Sequence, residues 1–299
     1  MWVRLQLDFS WWDFGFGMFS LCKPHDQESL THQIERHWSA AGNTLPVLSV
    51  RSGLDLLLGV MKWPAGSEIV YSALNLPDMT MVAHQHGILP VPADLDLERL
   101  SPNLDLLEAA ITPRTKAILI AHLYGNFVPL DPIVALARRH NLMLIEDCAE
   151  NYDGVYQGHP GADLSLFSFG PLKTATSWAG GMMRVRDPAL FARLQSDHER
   201  WPCQSRLDYF NRLSKYGTMK FFGARWIYAA ARRLARLAVG DVDKMIHHAA
   251  KSFRADEIMN RLRQRPCGPL LASMARRFAK FDQRRIAQQI GRASCRERV

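Results

Sequence analysis

The stretch Leu144–Asp187 reads LIEDCAENYDGVYQGHPGADLSLFSFGPLKTATSWAGGMMRVRD, and it decides the fold of the chain. It continues an apolar run, LMLI at 142–145, which predicts a strand ending in two carboxylates, Glu146 and Asp147. A second apolar run, LSLFSF, follows later, and a third follows a pair of glycines. Polar groups at the carboxyl ends of such strands are where open α/β sheets bind their ligands, so this stretch also predicts the site.

One hydroxyl and one isolated lysine complete the set of polar groups. Ser168 lies at the end of the second apolar run, and Lys173 stands five residues beyond it. A lysine amine can form a Schiff base with an aldehyde cofactor. An ionised aspartate can keep a pyridine nitrogen protonated, and a hydroxyl near a turn can bind a phosphate. These residue types suit a pyridoxal phosphate (PLP) site, although an α/β protein with ordinary polar strand ends remains the alternative.

The order of these motifs narrows the choice. E-D-x-A-(E/Q), then F-S-F, then a lysine and then G-G resembles the DegT/StrS-type family of PLP-dependent sugar aminotransferases. The likeness continues upstream through VRSGLDLLL, AGSEIVYSALNLPDM, HGILPVPADLD and ITPRTKAILIAHLYGNFVPLDPIVALARRHNLMLIED, and it covers residues 45–190 in order. The resemblance implies an α/β fold of the aspartate aminotransferase type. The expected fold is that of the large domain of a type I PLP-dependent transferase, with a mixed, mostly parallel sheet between helices.

The resemblance also implies a role for each candidate site residue. Lys173 is expected to be the Schiff-base lysine and general base, and Asp147 the partner of the pyridinium nitrogen. Relatives that act as dehydratases carry histidine in place of the lysine, so Lys173 favours transamination. The full set of expected cofactor contacts is Arg51, Ser52, Leu76, Asp147, Glu150, Ser168 and Lys173, with Arg51, Ser52 and Ser168 near the phosphate. No metal is expected.

Two of these positions depart from the family pattern. Glu150 stands where relatives usually carry a glutamine that faces the phenolic oxygen of PLP. A carboxylate beside a phenolate is unfavourable unless it is protonated or turned away. Leu76 stands where an aromatic residue often stacks on the PLP ring, and leucine can pack there without stacking. His122, at the end of another predicted strand, is expected to be structural, with a substrate contact as the alternative.

The domain organisation follows from the same comparison. We expect an N-terminal arm and helix at 1–44, the PLP-binding large domain at 45–200, and a basic helical segment at 201–289. That segment is expected to lead into a truncated small C-terminal domain. The last ten residues, IGRASCRERV at 290–299, resemble a translated sequencing adapter, and we expect them to be a non-native tail. A genuine basic tail is the alternative.

The net charge of +8 is unevenly distributed along the chain. Residues 1–189 carry a net charge of −7, and residues 190–289 carry +13. Such a basic segment could meet nucleic acid, anionic lipid or a phosphorylated substrate, and we expect no nucleic-acid partner. The stretch 217–240 predicts either a helix with a solvated basic face at a dimer interface or a weak membrane-surface contact.

The cysteines and the hydropathy pattern limit the compartment. The five cysteines are scattered and contain no CxxC pair, which predicts neither a zinc site nor a disulfide framework. No uncharged apolar run is long enough to predict a transmembrane helix. A reducing cytoplasm is therefore the expected location.

The functional expectation combines these observations. We expect a PLP-dependent aminotransferase that moves an amino group, from glutamate, to a nucleotide-linked keto-sugar. The product would serve cell-surface polysaccharide or secondary-metabolite sugar biosynthesis, and the enzyme would be a homodimer. Two alternatives stay open: a non-catalytic PLP-fold protein that binds or senses, and another type I PLP enzyme that acts on a small amino acid.

Overall fold

The computed structural model describes residues 7–39, 43–223, 255–284 and 286. Its strands in chain order are β1 Thr44–Val47, β2 Glu68–Ser72, β3 Leu89–Ala93, β4 Leu95–Asp96, β5 Ser101–Pro102, β6 Thr115–Ala121, β7 Met143–Cys148, β8 Leu164–Ser168 and β9 Gly181–Val185. Its helices are α1 Trp11–Leu21, α2 Gln27–Trp38, α3 Val50–Met61, α4 Pro77–Gln85, α5 Leu104–Ala109, α6 Asp131–Arg139, α7 Pro188–Glu199, α8 Arg206–Phe222, α9 Ala255–Leu262 and α10 Gly268–Ala279.

Seven of the strands form one sheet in the order β1-β9-β8-β7-β6-β2-β3. Strands β3, β2, β6, β7 and β8 run parallel to one another, whereas β9 is antiparallel to both β8 and β1. The expectation of a mixed, mostly parallel sheet between helices is therefore confirmed. Parallel strands bring their carboxyl ends to one edge, and this edge collects the polar residues that follow β2, β6 and β7.

The strand predicted to run through LMLI and end in Glu146 and Asp147 is present, shifted by one residue to Met143–Cys148. Strand β7 continues through both carboxylates to Cys148, because β6 pairs with it as far as Asp147 and β8 as far as Cys148. Asp147 lies opposite Ala121 of β6 and Leu166 of β8. The two acids are thus parts of the sheet, and the pleat that alternates side chains between faces applies to them.

Two apolar layers cover the sheet near the site. Helix α3 has a mostly apolar sequence and packs Leu54 and Leu57 into a core against the sheet. On the other side an aromatic cluster joins the N-terminal helices to α10. There the Trp38 ring centroid lies 4.7 Å from that of Phe167, and the Phe278 centroid lies 4.6 Å from that of Phe169. Helix α10 therefore shares a core with β8 although it lies far along the chain.

Arginines of the basic segment pair with acids of the N-terminal half. Arg263 donates two hydrogen bonds to the buried Asp55 of α3, at 2.9 and 3.0 Å. Arg276 and Arg277 of α10 both reach Asp13 of α1. Part of the charge asymmetry along the sequence is therefore matched within the fold.

The segment 217–240, for which a membrane-surface contact was considered, lies outside the described residues beyond position 223. Within the described helices, none combines the length and apolar character needed to cross a bilayer. The predicted tail at 290–299 also lies outside the described residues.

The start of β9 yields the first prediction. A Cβ added at Gly181 would lie 2.8 Å from the backbone oxygen of Phe167 and 3.1 Å from the backbone carbon of Ser49. Both neighbours are main chain, so Gly181→Ala should lower the free energy of unfolding by about 2 kcal/mol.

The matched control for this prediction is Gly15→Ala in α1, where an added Cβ meets no neighbouring atom of the described residues within 4 Å. This change should raise stability by about 0.5–1 kcal/mol because alanine favours a helix more than glycine does. Urea unfolding of both variants measures the difference, and equal stabilities would contradict the packing argument.

Candidate active site

A cleft of about 200 Å³ lies at the carboxyl ends of β2, β6 and β7. These three strands are neighbours in the sheet, and a loop between β8 and β9 supplies the remaining wall. The cleft is lined by Leu74, Asn75, Leu76, Ala121, His122, Leu123, Tyr124, Asp147, Ala149, Glu150 and Lys173. The structure thus brings together four of the residues predicted for the site: Leu76, Asp147, Glu150 and Lys173.

The adjacent acids of β7 have separate environments. Asp147 lines the cleft, whereas Glu146 is fully buried among hydrogen-bond donors from neighbouring segments. Successive side chains of a strand point to opposite faces of the sheet, which explains why only one of the two faces the cleft.

Glu146 is the centre of a buried hydrogen-bond network. Its Oε1 accepts from His122 Nε2 at 2.8 Å and from the Tyr156 hydroxyl. Its Oε2 accepts from Ser165 Oγ at 2.6 Å and from the His159 N–H at 2.9 Å. Burial alone would raise the pKa of Glu146, but these hydrogen bonds outweigh it and lower the pKa to about 2. The carboxylate is therefore ionised and ties three segments to β7.

His122 belongs to this network and has a defined tautomer. Its Nδ1 accepts the Val128 N–H at 3.0 Å, so in the neutral ring the proton sits on Nε2 and points at Glu146. These contacts support the structural role that was preferred for His122. Atoms of His122, Glu146 and Cys148 lie within 4.8 Å of one another, yet the histidine nitrogens and the carboxylate oxygens are engaged in these hydrogen bonds.

Asp147 is a buried carboxyl with little hydrogen bonding. In the described part of the chain, its carboxylate accepts one hydrogen bond, from the Ala149 N–H at 2.9 Å. Burial raises the pKa of Asp147 to about 6, and the Ala149 N–H and the charge of Lys173 oppose the shift. A cation placed beside this carboxyl would favour its ionised form, which suits a partner for a protonated ring nitrogen.

Lys173 forms an ion pair across the cleft. Its Nζ lies 3.2 Å from Glu150 Oε1, and the Tyr124 N–H donates to Glu150 Oε2 at 3.0 Å. Tyr124 and Gly125 both have positive φ values, of 55° and 80°. This turn directs the amide toward the carboxylate. Burial alone would raise the pKa of Glu150, but the Tyr124 N–H and Lys173 lower it.

The three residues predicted near a phosphate are not among those that line the cleft. Arg51, in the first turn of α3, makes an ion pair with Asp78 of α4. Ser52 is buried, and its Oγ lies 3.0 Å from that of Ser49, the residue that caps α3. Ser168 Oγ accepts the Gly170 N–H at 3.4 Å. Their phosphate-binding roles stay predictions.

Sequence reasoning missed two polar contributors to the cleft. Asn75 is held by its own turn, since its Oδ1 accepts the Leu76 N–H at 2.7 Å. Its Nδ2 is buried and has no hydrogen-bond partner in the described part of the chain. Tyr124 contributes through its backbone, which side-chain patterns do not reveal. Each residue lies three positions beyond the end of an apolar strand, and that position was the available indication.

The donor set fits PLP at the level of residue chemistry. Lys173 supplies an amine, Asp147 supplies a buried carboxyl that accepts one hydrogen bond from the described residues, and Asn75 supplies an N–H donor that no described residue uses. A ring carrying an aldehyde, a basic nitrogen and an oxygen substituent could use all three groups.

The fold and this site together define the large domain of a type I PLP-dependent transferase. Residues 29–216 match the family model described as the DegT/DnrJ/EryC1/StrS aminotransferase family, and the chain belongs to that family. Members of this family depend on PLP, so the expected cofactor is confirmed at the level of the family.

Individual relatives agree with this assignment. The chain is 38% identical over 152 residues to GDP-perosamine synthase of Caulobacter vibrioides. The matched region covers 48% of this chain and 40% of that relative. It is 36% identical over 160 residues to L-glutamine:2-deoxy-scyllo-inosose aminotransferase of Streptomyces kanamyceticus, covering 50% and 36% of the two chains. The chain thus spans less than half the length of these relatives.

A solved structure supports the fold. The PLP form of the putative sugar aminotransferase Spr1654 from Streptococcus pneumoniae superimposes with a TM-score of 0.59 at 19% identity. The match covers 69% of this chain and 60% of that one. A PMP form of the same protein is also similar to this chain.

The raised pKa of Asp147 yields a stability prediction for the cofactor-free protein. The folded protein holds this proton up to about pH 6, whereas an ordinary aspartate loses it near 3.8. Stability therefore falls as the pH rises through this window, because the folded state binds the extra proton. Asp147→Asn should raise the free energy of unfolding by about 1–3 kcal/mol at pH 7.5.

The gain from Asp147→Asn should shrink as the pH falls from 6 toward 4, where the native carboxyl is already neutral in the folded state. Urea unfolding at several pH values measures the difference between variant and wild type. A difference that does not change with pH would show that burial of the carboxylate is not its cause.

Proposed function

We propose that this chain is the cofactor-binding part of a PLP-dependent aminotransferase that transfers an amino group to a nucleotide-linked keto-sugar. The observation that carries the proposal is the meeting of Lys173 and Asp147 in one cleft at the carboxyl ends of parallel strands. Family membership supports the same reaction class.

Each residue has a task that its environment suits. When bound, PLP supplies an aldehyde and an electron-withdrawing ring. Lys173 would bind the aldehyde carbon through Nζ and later carry the proton between the two carbons that exchange the amino group. Asp147 would hold a proton on the ring nitrogen, and the low polarity around it would strengthen that ion pair. Glu150 and the Tyr124 N–H would orient Nζ before the cofactor arrives.

The proposals for acceptor, amino donor, oligomeric state and compartment rest on the names of relatives and on composition. The name GDP-perosamine synthase supports a nucleotide-linked sugar as acceptor. Glutamate is our proposed donor, and the name of the Streptomyces kanamyceticus relative makes glutamine the compound to compare with it. We also propose a homodimer that works in a reducing cytoplasm in sugar biosynthesis. The described cysteines, Cys22, Cys148, Cys203 and Cys267, are all free thiols, which supports that compartment.

The decisive experiment is an absorbance spectrum of the purified chain with PLP, before and after an amino donor is added. A visible band that is absent in Lys173→Ala would show that this lysine binds the cofactor. Its conversion to a near-ultraviolet band by glutamate or glutamine would show amino transfer. Lys62→Ala, at the end of α3 and outside the residues that line the cleft, is the control variant. It should behave as wild type does.

Three other outcomes would remove or redirect the proposal. No visible band in wild type would contradict PLP binding by this chain. A band that responds only to another small amino acid would redirect the proposal to a different type I PLP reaction. A band that ignores every amino donor would favour a binding or sensing protein.

The ion pair between Glu150 and Lys173 is a reason to test the alternative that the protein binds or senses PLP without transferring an amino group. The Glu150 carboxylate lies 3.2 Å from Lys173 Nζ and competes with an aldehyde for contact with that nitrogen. If Glu150 makes the protein a sensor, Glu150→Gln should gain a response to glutamate that wild type lacks. If the protein is an aminotransferase, wild type should respond, and the variant should alter the pH dependence of its visible band without creating a new activity.

A further inference from the structure

The loop that carries Lys173, residues 169–180 between β8 and β9, is hydrogen-bonded to a residue near the start of the chain. We call it the lysine loop. Asp8 Oδ2 accepts the N–H of Ala175 at 2.9 Å, and Ala175 lies two residues beyond the lysine. We call residues 7–10 the N-terminal strap. This contact joins segments 167 positions apart, so it is a tertiary feature of the site and not a local turn.

A buried arginine of α10 holds the strap in place. Arg277 Nη2 donates to Asp8 Oδ2 at 3.1 Å and to the backbone oxygen of Asp8. Its Nη1 donates to Asp13 Oδ2 at 2.8 Å, and only 5% of the arginine is exposed. A guanidinium offers several donors in a rigid plane, so one side chain can fix two carboxylates at once.

Further contacts hold the neighbouring residue of the strap. The Phe9 ring packs edge-on against Trp178 with centroids 5.2 Å apart. The ammonium of Lys220, on α8, lies 4.4 Å from the Phe9 ring centroid and donates to the Leu7 backbone oxygen at 3.3 Å. The strap is therefore fixed by α8 and α10 on one side and touches the lysine loop on the other.

The lysine loop has a backbone that needs such support. Ala175 and Trp178 have φ values of 56° and 68°, in the left-handed region that side-chain-bearing residues rarely adopt. Such conformations persist where the surrounding structure holds them. Asp8 bonds the amide of the first of these residues, and Phe9 packs on the ring of the second.

We propose that the N-terminal strap, fixed by Arg277, positions the lysine loop so that Lys173 faces Asp147 across the cleft. Asp8 is then a positioning residue, since it acts on the lysine through the Ala175 amide and does not itself line the cleft. The expected effect on PLP binding rests on the proposed function. The contact between the strap and the lysine loop can be tested without any cofactor.

Three variants of the 299-residue chain test the link. Asp8→Ala removes the acceptor of the Ala175 N–H, and Asp8→Asn retains an oxygen acceptor without the charge. The matched control is Asp26→Ala, because the Asp26 carboxylate also accepts a backbone N–H, that of Ser29 at 3.2 Å, at the start of α2. Urea unfolding of each variant gives the loss of global stability to be compared.

The first readout is hydrogen–deuterium exchange of peptides covering residues 170–178 in the cofactor-free protein. Asp8→Ala should accelerate exchange at Ala175 by about tenfold, the effect of losing a hydrogen bond to a charged group. Asp8→Asn should stay closer to wild type, and Asp26→Ala should match wild type within that peptide. Equal exchange in Asp8→Ala and Asp26→Ala would overturn the proposal.

The second readout is the fraction of Lys173 fixed by borohydride reduction across a series of PLP concentrations. Asp8→Ala should need about tenfold more PLP for half-capture, with Asp8→Asn restoring most of the loss. Capture equal to that of Asp26→Ala would overturn the positioning role. A wild type that captures no PLP would instead refute the proposed function, while the exchange result would still decide whether the strap holds the loop.

Discussion

The buried carboxylate of Glu146 is the constraint around which the carboxyl end of the sheet is assembled. It is fully buried and ionised, so it requires donors from His122 just after β6, from β8 and from the segment after β7 in the same place. Removing any one donor would leave the buried carboxylate with one hydrogen bond fewer, which costs more for an ionised group than for a neutral one. The alternation of the strand then presents the next residue, Asp147, to the cleft. The position of Asp147 in the cleft therefore depends on the buried hydrogen bonds of Glu146.

Sequence reasoning recovered the parts of this arrangement that depend on local order. The alternation of apolar runs and amphipathic helices predicted the α/β sheet, and the strand ends predicted where Asp147 and Lys173 would meet. Strands and helices can be predicted in this way because their side chains repeat every two and 3.6 residues, and a single sequence shows both periods. The family resemblance added the cofactor, since residue types alone also allowed an ordinary α/β protein.

What could not be predicted depends on contacts between distant segments. Glu150 was recognised as a departure, but its ion pair with Lys173 depends on the left-handed turn at Tyr124, which orients the carboxylate. The ion-pair partners of the basic segment could not be predicted from the sequence either. Its net positive charge suggested anionic ligands, whereas the folded chain places Arg263 on Asp55. Charge counted along a sequence does not reveal which charges meet in space.

The contact between Asp8 and Arg277 also has a consequence for how the protein is made. The two residues are 269 positions apart, so the arginine leaves the ribosome long after the β-strands of the cleft have been synthesised. The sheet can pair and bury its apolar faces during synthesis, yet the lysine loop has its full set of contacts only when α10 has emerged. A nascent chain would therefore carry a folded sheet and an unfinished cleft until α10 has emerged.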